Sequence, residues 1–375
     1  VTWPVVPLEE VATIERSGID PKSLESETPY VGLENIKTGG ELTEVTNVKN
    51  GDLKSTKFIF GSNHILYGKL RPYLAKIALP SFSGICSTDI LPILPGSHID
   101  RGFLCHYLRQ PSLVDFATSR AEGVNLPRLS PKTLAKFKIP LPPLEEQKRI
   151  AAILDKADQL RQKRRQAIAL LDSLTQSIFV EMFGEETQTR KLAEVASIRS
   201  GSTPSRSDVE NFGGSIPWVK TTEVKGKVIH FTDETVTQKG ATAARLKTFQ
   251  PGTILMAMYG QGTTRGNVAI LGIPATINQA CAAIEPEGLD ETFLFHQLKL
   301  KYNEIRSMGR GGNQPNLNLE IVGSIDIKVP DSARQQDFKQ AIERINHWTD
   351  QLILSSEVYE SLFASLQFRA FAGEL

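Results

Sequence analysis

Two stretches of the chain place apolar side chains at alternating steps of three and four. The first runs Ile150, Ile153, Ala157, Leu160, then Ala167, Leu171, Leu174 and Ile178; the second runs Phe338, Ala341, Ile345, Trp348, Leu352, Ser355, Tyr359, Leu362 and Leu366. Such spacing, held over about four heptads, predicts two long helices that pair along a seam. Pro142-Pro143 marks the start of the first, because proline suits the first helical turn, and Glu145-Glu146 favour its positive end. At about 1.5 Å per residue, helices of roughly 40 residues are about 60 Å long. Elsewhere short apolar runs are cut by Gly, Pro and Asn, with one helix expected over 103–118 and another over 291–306, which reads as short strands of antiparallel or mixed sheet. The expected fold class is α+β. Two similar globular domains (1–141 and 185–330) are separated by two long helices (142–184 and 331–375) that form an antiparallel coiled coil with pseudo-twofold symmetry.

Residues 125–183 align with 313–371 without a gap, at a constant offset of 188. Asn125/Asn313, Pro127/Pro315, Leu129/Leu317, Ile139/Ile327, Gln147/Gln335 and Phe183/Phe371 carry the match, and Tyr30-Val31 answers Trp218-Val219. The chain thus holds two copies of one unit. Because a compact domain usually begins and ends close together, the second helix is expected to return along the first, with a globular unit at each end. Arg164 interrupts the first apolar row opposite Leu352. Either its stem lies on the seam and its head reaches solvent or an acid such as Asp350, or it is a tolerated surface arginine.

The net charge is +1, but it is unevenly spread. Residues 1–140 carry 16 Lys and Arg against 14 Asp and Glu, residues 190–330 carry 16 against 13, and residues 331–375 carry 4 against 7. The globular parts are mildly basic, which permits DNA contact without establishing it. The run Arg161-Gln162-Lys163-Arg164-Arg165 spreads around a helix and reads as a solvated face or as a phosphate contact. Three scattered cysteines fit a reducing, cytoplasmic setting. No stretch approaches the roughly 20 apolar residues of a membrane span, and no export signal opens the chain, which begins without Met.

Candidate DNA-contacting residues fall in two matched clusters. After the strand at 65–68 come Lys69, Arg71, Tyr73 and Lys76; after the strand at 254–260 come Gln261, Thr263, Arg265 and Asn267. A second matched pair of loops adds Arg120, Asn125 and Arg128 in one copy, and Arg310, Asn313 and Gln314 in the other. Arg, Lys, Asn and Gln make forked hydrogen bonds to base edges, and different residues at matched places suit different half-site sequences. Each residue taken singly also reads as ordinary surface polarity, and Tyr67 and Tyr259 as half-core strand residues. The glycines of the second loops permit close backbone approach to a ligand or simply a tight turn.

Nothing points to catalysis. No GxxxxGK[ST] phosphate loop is present, and Gly260-Gln261-Gly262-Thr263-Thr264-Arg265-Gly266 has the wrong spacing for a dinucleotide loop. Asn313-Gln314-Pro315-Asn316 departs from the Asn-Pro-Pro-aromatic loop of amino-methyltransferases at Gln314 and Asn316. The six histidines show no metal-binding spacing and read as structural. No catalytic or metal residue is assigned, and no cofactor is expected on this chain.

The run Ile139-Pro140-Leu141-Pro142-Pro143-Leu144-Glu145-Glu146-Gln147-Lys148-Arg149-Ile150-Ala151-Ala152-Ile153-Leu154-Asp155 closely resembles the junction between recognition domain and helix in specificity subunits of Type I restriction-modification systems. Leu171-Asp172-Ser173-Leu174 with Ser177-Ile178-Phe179, and the segments 8–14, 65–73 and 254–270, share the resemblance. It implies a non-catalytic reader of double-stranded DNA with a split site, the helix pair spanning an unread spacer. It also implies two docked methyltransferase subunits that methylate adenine with S-adenosylmethionine, and restriction/translocase subunits that use ATP and Mg. The family's base contacts vary with the target, so none is carried over. In the second copy Val329-Pro330-Asp331-Ser332-Ala333-Arg334-Gln335-Gln336-Asp337 replaces the Pro-Leu-Pro-Pro-Leu-Glu-Glu-Gln run, so the two docking surfaces are not expected to be alike. A duplicated scaffold that assembles proteins without reading DNA is the alternative.

Overall fold

The structure, a computed structural model, describes residues 3–24, 27–309 and 316–375. Its contacts divide the chain into unit 1, residues 1–165 with 354–375, and unit 2, residues 166–353. In unit 1 a four-stranded antiparallel sheet runs in the order Ala12–Ile14, Ile90–Pro95, Ile65–Gly68, Ile77–Ala78. The strand Ile65–Gly68 is buried along its whole length, as an uninterrupted apolar run should be when both faces are covered. A five-stranded mixed sheet follows the order Gly18–Ile19, Lys57–Phe60, Gly84–Cys86, Thr28–Val31, Thr46–Val48, with Tyr30-Val31 parallel to Ile85-Cys86.

Unit 2 repeats this plan. Ala196–Ser200, Cys281–Pro286, Ile254–Ala257, Val268–Leu271 and Val228–Ile229 form one sheet, and Thr235–Val236, Phe212–Val219 and Thr276–Ile277 another. Trp218-Val219 pairs in parallel with Thr276-Ile277, the counterpart of the Tyr30-Val31 pairing. Two short sheets, Val5–Pro7 with Lys138–Pro140 and Thr189–Lys191 with Asp326–Lys328, tie the start of each copy to its end.

The single helices expected over 103–118 and 291–306 are each two. Arg101–Leu108 stops before Pro111–Ser119, since Pro111 has no N–H to continue the ladder and sits at the first position of a new helix. Glu291–Leu300 is likewise followed by Tyr302–Ser307 after a break at Lys301. Tyr67 is buried, but Tyr259 is exposed, because its strand has already ended at Ala257.

The long helices span Leu144–Phe183 and Ser332–Ala372. Among the described residues, no helix is long and apolar enough to cross a membrane. Within each unit one half-helix packs antiparallel to another. In unit 1, Arg149 reaches Leu375, and Arg161 and Arg165 reach Glu360; in unit 2, Phe179 and Phe183 meet Phe338, and Glu186 pairs with Arg334. Numbers rise on one helix as they fall on the other.

The buried face departs from the heptad row. Ile150, Phe338 and Ile345 are buried, and Ile153, Leu171, Ile178, Leu352, Tyr359 and Leu366 are half-buried, but Leu160, Leu174, Trp348 and Leu362 stand exposed. Their next neighbours Arg161, Thr175, Thr349 and Phe363 are covered or half-covered instead. The every-seventh rows from Ile150 to Ile178 and from Phe338 to Leu366 stay covered or half-covered throughout, so the departure is confined to the positions between them. Arg164 reaches no acid among the described residues: its guanidinium lies 4.4 Å over the Tyr359 ring and donates to the Ser355 hydroxyl.

Candidate nucleic-acid interface

Each unit is joined to its long helix by a buried glutamine. The Gln147 side-chain oxygen accepts from the Asp100 backbone N–H (2.7 Å), and its amide donates to the His98 and Pro142 carbonyls (3.0 and 2.8 Å). Gln335 accepts from the Asp290 N–H (2.8 Å) and donates to the Pro330 carbonyl (2.8 Å). Asp100 and Asp290 in turn cap the helices they precede. Sequence reading paired these glutamines without giving them a role. The signal was an identical polar residue, repeated at constant offset, on the buried face of a helix.

At the tip of unit 1 the structure brings both candidate clusters together. Residues Glu122 to Arg128 form a hairpin whose ends exchange backbone hydrogen bonds of 3.0 and 2.9 Å, and Leu70 bridges to Arg128. The Arg71 N–H donates to the Pro127 carbonyl (2.7 Å). Arg71 and Ala75 have left-handed backbones, φ 52° and 45°, on either side of the single turn Pro72–Leu74 that holds Tyr73 outward. Such conformations cost L-residues about 1–2 kcal/mol each. Arg71 is exposed, and its guanidinium has no partner among the described residues.

The remaining cations are committed to different degrees. Arg128 pairs with both carboxylate oxygens of Asp89 (2.9 and 3.3 Å), which holds its guanidinium above the ordinary range, and the Lys69 ammonium lies 3.9 Å from the same acid. Lys76 is turned inward, donating to the Leu33 carbonyl at 2.6 Å. Arg120 lies over the Phe116 ring at 5.1 Å, and Asn125 is exposed at the hairpin apex. Asp89 was missed in the sequence because it lies about 20 and 40 residues from the cations it holds.

In unit 2 the matching turn is built differently. Gly260, Gly262 and Gly266 take the positive φ values there. Gln261 and Thr263 are exposed, the Thr263 carbonyl accepting from the Tyr302 hydroxyl at 2.8 Å. Arg265 is half-buried and donates to the Arg306 carbonyl, while Arg306 donates back to the Arg265 carbonyl (3.4 and 3.3 Å). Asn267 is half-buried, its carbonyl accepting from Ala257. Arg310, Asn313 and Gln314 lie outside the described residues. Among the described residues, no group of three His, Cys, Asp or Glu is placed to hold a metal ion.

The Type I restriction modification DNA specificity domain matches residues 1–170 and again 184–353. The chain is similar to the Type I restriction enzyme EcoDI specificity subunit of Escherichia coli, 31% identical over 166 residues, covering 43% of this chain and 37% of that protein. It is also similar to the Type I restriction enzyme MjaVIII specificity subunit of Methanocaldococcus jannaschii, 24% identical over 366 residues, 87% of this chain and 81% of that one. A solved chain from a study of complex assembly and conformational transition of the type I R-M system shares the fold, with a TM-score of 0.60 at 21% identity, covering 100% of this chain and 98% of that one. With the specificity domain matched twice over nearly its whole length, this chain belongs to the Type I restriction-modification specificity family, whose members are non-catalytic.

Proposed function

We propose that the chain is the sequence-reading subunit of a Type I restriction-modification complex, each unit reading one half of a bipartite double-stranded DNA site. The observation that carries this is the contrast within the repeat. Sheets and glutamine joints recur, whereas Lys69, Asp89 and Arg128 of unit 1 stand where unit 2 has Met258, Ala280 and Asn316. A shared framework with different side chains toward its tips suits two different base sequences. Methyltransferase subunits using S-adenosylmethionine, and ATP- and Mg-dependent restriction/translocase subunits, are the partners proposed for the complex. Exposed apolar side chains on the long helices, Leu170 in unit 2 and Leu354, Val358 and Phe368 in unit 1, offer each unit a surface for them. The same residues favour the scaffold reading, in which partners dock and DNA is not read.

Selection of duplexes from a random pool separates the two. A reader enriches two short fixed sequences divided by a random spacer, and its affinity falls steeply as salt rises. Enrichment of nothing, with partner binding intact, favours the scaffold.

A further inference from the structure

Unit 1 ends in an apolar protrusion that its own fold does not use. Val124 is 99% exposed at the hairpin apex, with Leu126 beside it at 46%, and Tyr73 is 51% exposed on the adjoining turn. Hairpin apices favour Asn, Asp and Gly, and Gly123 already supplies the positive φ here, so a β-branched valine answers no demand of the turn. The protrusion is also held firmly. Both hairpin ends are bonded, the Pro127 carbonyl is fixed by Arg71, and Tyr73 stands between two left-handed non-glycine residues. Strained backbone of this kind persists where surrounding structure enforces it, and it clusters at ligand contacts. Arg71 and Arg120 lie at the same tip; the carboxylates beside them are Glu122, at the base of the hairpin, and Asp89, which is taken up by Arg128 and Lys69.

An apolar point flanked by guanidinium groups matches a duplex, with its phosphates outside and its base stack within. We propose that unit 1 reads DNA in some measure by insertion: Val124 and Leu126, with Tyr73 alongside, enter a groove and wedge open a single base step of its half-site. This rests on the DNA-reading function above and adds a mode to it. Selection at that step follows the ease of unstacking, as with other apolar wedges, rather than hydrogen bonds alone.

The test uses the full chain at low salt and a selected duplex in which 2-aminopurine replaces one base at a time, since this base brightens on unstacking. One step should brighten several-fold on binding. It should stay dark with a Val124→Ser, Leu126→Ser, Tyr73→Ser variant, whose affinity for the site should fall about ten-fold, the scale of a mismatched base pair. Melting of the variant at the wild-type temperature would separate this loss from misfolding, all three side chains being exposed. A duplex that is bound and footprinted with no step brightening, or brightening that survives in the variant, overturns insertion and leaves DNA reading standing. If no duplex is selected at all, the reading function fails and this inference with it.

Discussion

At the joint with its long helix each unit buries a glutamine that bonds an aspartate N–H and a proline carbonyl, while at the tips the units differ in charge, in strain and in glycine content. Unit 1 holds its turn with left-handed Arg71 and Ala75, and unit 2 with Gly260, Gly262 and Gly266. The two regions answer different constraints. A buried amide with two or three partners leaves no room for change, because each orphaned group costs about 1–3 kcal/mol. At the tips the exposed Arg128 gives way to Asn316, where water satisfies whatever is left, whereas the half-buried Lys69–Asp89 pair gives way to Ala280 and a Met258 buried in the core of unit 2. Beside the joints the solutions also diverge: Gly102 packs closely on Ala151 in unit 1, whereas in unit 2 Lys339 bridges Asp290 and Glu291 at 2.9 and 2.8 Å.

The largest effect expected is at the aromatic cluster of unit 2, where Phe338 meets Phe179, Phe183 and Phe293. Phe338→Ala should cost about 3–5 kcal/mol in denaturant unfolding. Next comes acid. Burial, with Lys299 nearby and only partly offset by Asp172, pushes His296 down to about 4. The fold therefore holds it neutral while the unfolded chain takes up a proton near pH 6.5. Its contribution should be complete above pH 6.5 and lost as pH falls toward 4, on the order of 3 kcal/mol. His296→Phe should flatten that region of the stability profile; an unchanged profile would mean the ring is not held neutral.

The joints can be compared directly. Gln147→Ala orphans the partners of three hydrogen bonds and Gln335→Ala those of two, so losses of about 3 and about 2 kcal/mol are expected. Equal losses would show that the His98 contact contributes nothing. The tips give the smallest effects. Ala75→Gly relieves a left-handed alanine but loosens the unfolded chain, leaving a gain of up to about 1 kcal/mol. Gly262→Ala, at φ 60° with nothing within 4 Å of the added methyl, should cost about 1 kcal/mol through the backbone alone. Opposite signs at matched turns would confirm that one tip stores strain and the other avoids it.

How much of this the sequence disclosed depended on distance along the chain. The constant offset exposed the repeat, and the three-and-four rows exposed both long helices, because those signals are local or periodic. The same rows misplaced Leu160, Leu174, Trp348 and Leu362, since spacing alone does not say which flank of the every-seventh row the neighbouring elements cover. At the tip, Arg71, Arg128 and Asn125 were legible as chemistry. That Lys76 turns inward to Leu33, and that Asp89 holds Arg128 and Lys69, follows from strand pairing between distant segments. The glutamine joints were visible as letters and opaque as function, because their partners are backbone groups that no side-chain pattern encodes.

The central claim is that separate units read separate half-sites, and it is tested most directly by selecting bound duplexes with wild type, Arg71→Ala and Gln261→Ala. Both side chains are exposed, whereas Arg265 also braces Arg306. Arg71→Ala should relax the preference in one half-site by about 1–3 kcal/mol and leave the other unchanged, with Gln261→Ala doing the reverse. Both variants relaxing the same half-site, or neither altering any preference, would contradict the account.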